Sequence, residues 1–348
     1  MALIYDLVTA PNLKGFWDTR QEQAIPTLGE KAFPAKKQLG LKLAFIKGAA
    51  GLPVVLRASA FDTEATLRER MNVTLNEEEM PFFKEAMVVK EQDRQQLNLI
   101  AQTGNQELTN TITKGIFDDT TRLLSGAKAR LEAMRMQVLA TGKIGIISNG
   151  VARDIDYGVA ETNKGSVTTA WSDPEANPLD DLANAIDKLA ETGAKPEVLI
   201  LNSKTFGEIK KAKSTLLAIK PLAPTGASVT TREVTEYLDT ELGIKVALEN
   251  GTYKDDDGVT KKFYPDGHVT LAPNGALGNT VFGTTPEESD LMGGNADAAK
   301  VSIVETGIAV TTIKHADPVN VETKVSMIAL PSFERLEEVY MLATTPQL

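Results

Sequence analysis

The chain predicts an α+β fold, and three stretches of its 348 residues carry that reading. From Ile116 to Thr141 apolar side chains line one helical face. Residues 177–212 read as helix, strand, helix, and the last third of the chain is strand after strand.

Taken in order, residues 1–38 look like an extended arm. Pro11, Pro26 and Pro34 interrupt the helical windows, and Leu13, Phe16 and Trp17 stand in a small apolar group. Residues 39–46 alternate as a strand, GAAGLP at 48–53 breaks it, and residues 54–60 and 83–91 resume strand patterns. Between them lie Asp62, Glu64, Arg68, Glu69, Arg70 and the run Glu77-Glu78-Glu79, so residues 39–90 are expected to form a long projecting hairpin. Phe117, Leu124, Leu131 and Val138 then recur every seven residues, with Thr120, Ala127 and Met134 beside them. Arg122, Lys128, Arg130, Glu132 and Arg135 are placed on the other faces, and Gly142 closes the helix. At ~1.5 Å per residue this element would span about 40 Å.

A hairpin turning at Asn149-Gly150 follows. Pro178 opens the next helix and Gly193 ends it. Val198 to Leu201 form a short buried strand, and Ser203 is expected to cap the helix after it. Asp255-Asp256-Asp257-Gly258 is the turn of a further hairpin.

Composition excludes several functions. The chain has no cysteine, which rules out disulfides, thiolate metal sites and thiol chemistry and fits assembly in a reducing cytoplasm. A net charge of −10 opposes sequence-specific nucleic-acid binding. No apolar run is long enough to cross a bilayer, so no membrane partner is expected, and Met1 to Val8 lacks the basic start of a signal peptide. Only two histidines are present, His268 and His315. A zinc site would need several carboxylates, and no metal is expected.

The chemical motifs fail one by one. Gly142-Lys143 is followed by Ile144 and lacks the upstream glycine of a phosphate loop. No GxSxG, HExxH or GxGxxG occurs. An EF-hand loop counted from Asp255 ends on Pro265 and Asp266 and misplaces Gly258, so the three aspartates read as an acidic turn. Glu287-Glu288 and Glu337-Glu338 are sequence neighbours, so in extended backbone each pair faces opposite sides. No catalytic residue and no cofactor are expected.

The order of these pieces, with MPFFKEAMVVKEQDRQQL (80–97), PEVLILNSKTFGEIKKAKSTL (196–216), residues 251–291 and KVSMIALPSFERLEEVYMLAT (324–344), resembles the lambda E-type major capsid family of tailed bacteriophages. The resemblance implies the Hong Kong 97-type fold. Its parts would be an N-terminal arm (1–38), an E-loop with its strands (39–90), a peripheral domain with a long spine helix (91–176 and 313–348) and an axial domain (177–312). It implies a shell subunit forming pentamers and hexamers around packaged double-stranded DNA, a virion location and assembly in the bacterial host cytoplasm. The implied partners are other copies of the chain, a portal protein, a decoration protein in some relatives, and a separate scaffolding protein. The last is expected because only about 38 residues precede the first strand. Nothing in the sequence identifies an asparagine that could cross-link to Lys47 at the E-loop base.

Within that picture the E-loop charges Arg57, Arg68, Arg70, Glu77, Glu78 and Glu79 are the candidate intersubunit residues, meeting Arg122, Lys128 and Arg135 on a neighbour's spine helix. Two other readings stay open: an encapsulin-like bacterial nanocompartment shell, which would carry a cargo enzyme, and a ligand-binding or enzymatic α+β protein, which would show a deep polar-lined pocket.

Overall fold

The computed structural model describes residues 9–21, 25–46, 75–89, 106–148, 150–222, 224, 226–294, 300–317 and 319–346, with positions 91, 95 and 99. They cluster into two compact units, one drawn from residues 1–44, 77–132 and 279–332 and the other from 45–76, 133–278 and 333–348.

The first unit is built on β16 (Val321–Ser332), whose second half is buried throughout. An apolar run of this kind belongs at a sheet centre, where both faces are covered. It pairs antiparallel with β15 (Ile308–Lys314), with β4 (Phe82–Val89) from Val321 to Ile328, and with β13 (Asn279–Phe282) from Ala329 to Ser332. The short β1 (Ala35–Lys37) joins β13 in parallel, and β14 (Val301–Val304) closes the other end against β15. β2 (Lys42–Ile46) and β3 (Leu75–Glu79) pair as a separate two-stranded ladder, so the glutamate run expected in the loop lies in a strand, while the expected return strand at 83–91 pairs with β16 instead. The segment between them, including the expected strand 54–60, lies outside the described residues.

The N-terminal region departs from the expected extended arm. Residues Ala10–Gln21 form helix α1 and Leu28–Ala32 form α2. The prolines do not prevent this, because each sits at a boundary. Pro11 lies in the first turn, where its missing N–H has no intrahelical partner to lose. Pro26 precedes the N-cap Thr27, and Pro34 follows the C-cap Phe33. Leu13 and Trp17, one helical turn apart, are buried.

The long helix α3 runs from Gln106 to Thr141, ten residues longer at its start than its apolar period predicts. Gly115 and the β-branched Thr109, Thr111 and Thr113 mask the signal there. Along the rest, Leu124, Leu131, Met134 and Val138 are buried as expected. Gly142 ends the helix at φ +70, and a Cβ there would collide with Val159 Cγ2. Gly142→Ala is therefore expected to destabilise the chain by about 2–4 kcal/mol, combining left-handed strain with overpacking. Urea unfolding followed by circular dichroism measures it, and a loss under about 0.5 kcal/mol, the range of an ordinary surface change, would show that the turn relaxes freely.

The second unit centres on a mixed five-stranded sheet. Its order is β7 (Lys164–Ser166), β17 (Tyr340–Ala343), β12 (His268–Ala272), β8 (Val198–Leu201) and β9 (Lys245–Leu248). The central pairings are antiparallel and the two outer ones parallel. Helices α4 (Pro178–Glu191), α5 (Ser203–Lys211) and α7 (Thr231–Glu241) contribute Leu182, Leu189, Phe206 and Leu238 to one core with Trp171, Leu199 and Leu271, and α6 (Lys213–Ile219) packs Leu216 and Ile219 against it. Pro178 and Gly193 bound α4 as expected. The cap of α5 is Asn202, one residue earlier than Ser203, because the Asn202 side chain reaches the Thr205 N–H at 2.9 Å. The hairpin β5 (Lys143–Ser148) and β6 (Val151–Asp156) forms where Asn149-Gly150 predicts. β10 (Thr252–Lys254) and β11 (Thr260–Lys262) flank the acidic turn, where Asp255 pairs with Lys261 and its carbonyl accepts from the Gly258 N–H at 2.8 Å.

Candidate assembly surfaces

The nine sequence-predicted interface residues do not form one described site. Arg57, Arg68 and Arg70 lie outside the described residues. Glu77, Glu78 and Glu79 are on β3, and the side chains of Glu78 and Glu79 are exposed. Arg122 is exposed on α3, 3.7 Å from Asp119. Lys128 is engaged within the subunit, with Glu305 at 2.8 Å and Trp17 beneath it. Arg135, expected on an outward face with Glu132, is buried at 4% exposure, as is Glu132. A heptad stripe marks which face is apolar, but it does not limit how many further faces other segments cover.

The N-terminal region covers Glu132. The Glu132 carboxylate accepts from the Thr27 hydroxyl at 2.7 Å and from the Gly29 N–H at 2.9 Å, at the start of α2. Gly29 allows this approach, since a Cβ there would lie 2.5 Å from that carboxylate. Thr27 and Glu30 complete a capping box. The Trp17 indole donates to Glu305 at 3.1 Å, Arg20 reaches Asp118 at 3.2 Å, and Phe16 meets Phe117 edge to face at 5.1 Å. Glu305 adopts φ +51, unusual without glycine, in the turn between β14 and β15. The spacing of Leu13, Phe16 and Trp17, at i, i+3 and i+4, was the available signal for this docked helix.

Several large apolar side chains stay open to solvent. Leu222 is 98% exposed, Ile147 82% and Ile25 85%. On β4, which pairs only with β16 among the described residues, Phe82 and Val88 are exposed as well. Exposed apolar side chains on an eight-residue strand with one free edge suit a surface that another chain covers. By contrast, His268 Nδ1 lies 3.0 Å from the Asp266 carbonyl and His315 Nε2 lies 2.9 Å from Glu322, and the described residues hold no cluster of His, Asp and Glu suited to a metal ion. No described helix is long and apolar enough to cross a membrane.

The family model for phage major capsid protein E matches residues 18–343. The chain belongs to that family. Among solved structures, the capsid protein fold assigned to a prophage of Escherichia coli CFT073 is similar over 97% of this capsid protein and 99% of that chain, with TM-score 0.60 at 15% identity. A phage-related protein of Bordetella bronchiseptica RB50 covers 98% and 99%, with TM-score 0.55 at 13% identity. The capsid of cyanophage A-1(L) covers 92% and 93%, with TM-score 0.51 at 11% identity. No curated protein matches. The fold is thus the Hong Kong 97 type, and the capsid protein is a structural shell subunit assembled from many copies.

One half-buried ion pair of the capsid protein carries a pH signature. Glu233, in the first turn of α7, accepts from Lys220 and from the Thr230 backbone, which together pull its carboxyl down to about 2. Its folded value lies below the unfolded one of ~4.3, so its contribution is present above that pH and is lost as pH falls toward 2. Lys220→Ala is expected to return the Glu233 midpoint toward ~4.3 in a carboxyl NMR titration. An unchanged midpoint would mean the backbone bond alone sets it.

Proposed function

We propose that this capsid protein forms pentamers and hexamers that close an icosahedral shell around packaged double-stranded DNA. The family match across almost the whole chain carries this reading. The acidic balance supports it, since a container filled by a motor gains nothing from gripping its contents tightly. Peripheral (91–176, 313–348) and axial (177–312) domains, an intersubunit E-loop, a separate scaffolding protein, a portal and assembly in the host cytoplasm belong to the same proposal. The subunit acts by packing and carries out no catalysis in this reading. Electron microscopy of the chain expressed alone should show capsomers, tubes or aberrant shells, with uniform shells only when the scaffolding protein is present. A chain that remains monomeric at every concentration and with scaffold contradicts the proposal. So does a stoichiometric metal or nucleotide retained through purification.

A further inference from the structure

We infer that the acidic C-terminal half of α7 in one subunit docks on a cationic cluster at the α5–α7 corner of a second copy. The inference rests on the shell-forming reading above and names a contact within it. Arg232 stands in the first turn of α7, and Lys210 and Lys211 end α5. Lys210 Nζ donates to Thr231 Oγ1 at 3.0 Å, which holds the basic end of α5 beside the first turn of α7, where Arg232 is exposed. Toward the other end of α7, Glu236, Asp239 and Glu241 are exposed, and the last turn holds no basic residue.

This placement opposes the helix. A macrodipole favours acids at the N-terminus and bases at the C-terminus, and α7 carries Arg232 at the first and Asp239 with Glu241 at the second. Glu233, the acid in the first turn, is occupied by its capping box and Lys220. The charges therefore cost the isolated subunit a little stability. Between copies they are complementary: the corner of one accepts the acidic end of the next. Leu222 supplies the apolar part of the contact. It is 98% exposed, and Lys220, two residues before it, bonds the Ser228 carbonyl at 3.2 Å and Glu233 at 2.8 Å, which holds that turn beside the start of α7. A contact between two different patches of the same chain is heterologous, the kind that repeats around a ring.

The test uses charge reversal in the full chain, read by sedimentation velocity and electron microscopy beside a thermal melt. Lys211→Glu with Arg232→Glu, and separately Glu236→Lys with Asp239→Lys, should each lower the assembled fraction by about tenfold at low salt, since like charges then face each other. The second variant should leave the melting temperature equal to the parent's or higher, because lysines suit the C-terminal half of α7, and the first should melt close to the parent, since what Arg232→Glu gains at the start of α7 offsets what Lys211→Glu loses at the end of α5. Combining all four restores complementary faces and should recover assembly to within about twofold of the parent. A folding defect cannot produce lost assembly at undiminished stability followed by rescue. Parent-like assembly of both reversed variants overturns the inference, whatever else these charges bind, and so does failure of the combined variant to recover. A parent chain that assembles under no condition is a different result: it removes the shell-forming proposal itself.

Discussion

Replacing residues 60–74 with a short Gly-Ser turn is expected to abolish shell formation while the subunit's thermal midpoint stays close to the parent's. The replaced stretch ends before β3, so the β2–β3 ladder keeps its strands. The stretch carries five charged residues, Asp62, Glu64, Arg68, Glu69 and Arg70, and four large apolar ones, Phe61, Leu67, Met71 and Val73, whose burial at ~1.5–3 kcal/mol each would offset only part of the ~1–2 kcal/mol per residue of ordering a free hairpin. The proposed intersubunit role assigns this stretch contacts with a neighbouring copy in place of contacts within its own subunit. Each exposed ion pair it makes there is worth only ~0.2–1 kcal/mol, but the contact repeats around every capsomer. Sedimentation and electron microscopy give the assembly result, and calorimetry gives the midpoint. Normal shells from the shortened chain, or a subunit that unfolds, would each show that the loop is not an interlocking arm.

Glu132→Ala is expected to release the N-terminal region at a cost of about 3–5 kcal/mol, the range for removing a buried charged partner from its hydrogen bonds. Two donors lose their acceptor together, the Thr27 hydroxyl and the Gly29 N–H, and the second is one of the orphan amides at the start of α2. Because α2 is only five residues long, it has little helical stability of its own to fall back on. The loss should be local: faster hydrogen exchange at Gly29 and in α2, with β15–β16 still protected. Glu132→Gln, which keeps one acceptor oxygen, should lose about half as much or less. Unchanged exchange in α2 with Glu132→Ala would show that the region's other contacts, among them Trp17 with Glu305 and Arg20 with Asp118, hold it without Glu132.

Much of this fold was legible because its signals are local. The period of Leu124, Leu131 and Val138 depends only on the chain's own spacing, as do the Asn149-Gly150 turn, the Pro178 and Gly193 boundaries of α4 and the alternation of the last strands. Motif tests are local too, which is why phosphate loops, nucleophile elbows and EF-hands could be set aside by reading residues in order. The prolines of the N-terminal region misled the reading because their effect depends on position within an element: at a first turn or outside a cap they are harmless.

The sequence by itself determined the order of the main helices and strands from the long helix onward, the absence of thiol chemistry and, through the ordered set of segments, the capsid resemblance. Only the tertiary structure decided which of the charged positions on α3 face outward. Arg122 and Arg135 differ little as letters in a helical pattern, yet one is exposed and the other buried, and Lys128 is occupied by Glu305 from a turn far along the chain. Burial and pairing are set by whatever segment lies opposite, here often hundreds of residues away, and no period along the chain records that partner.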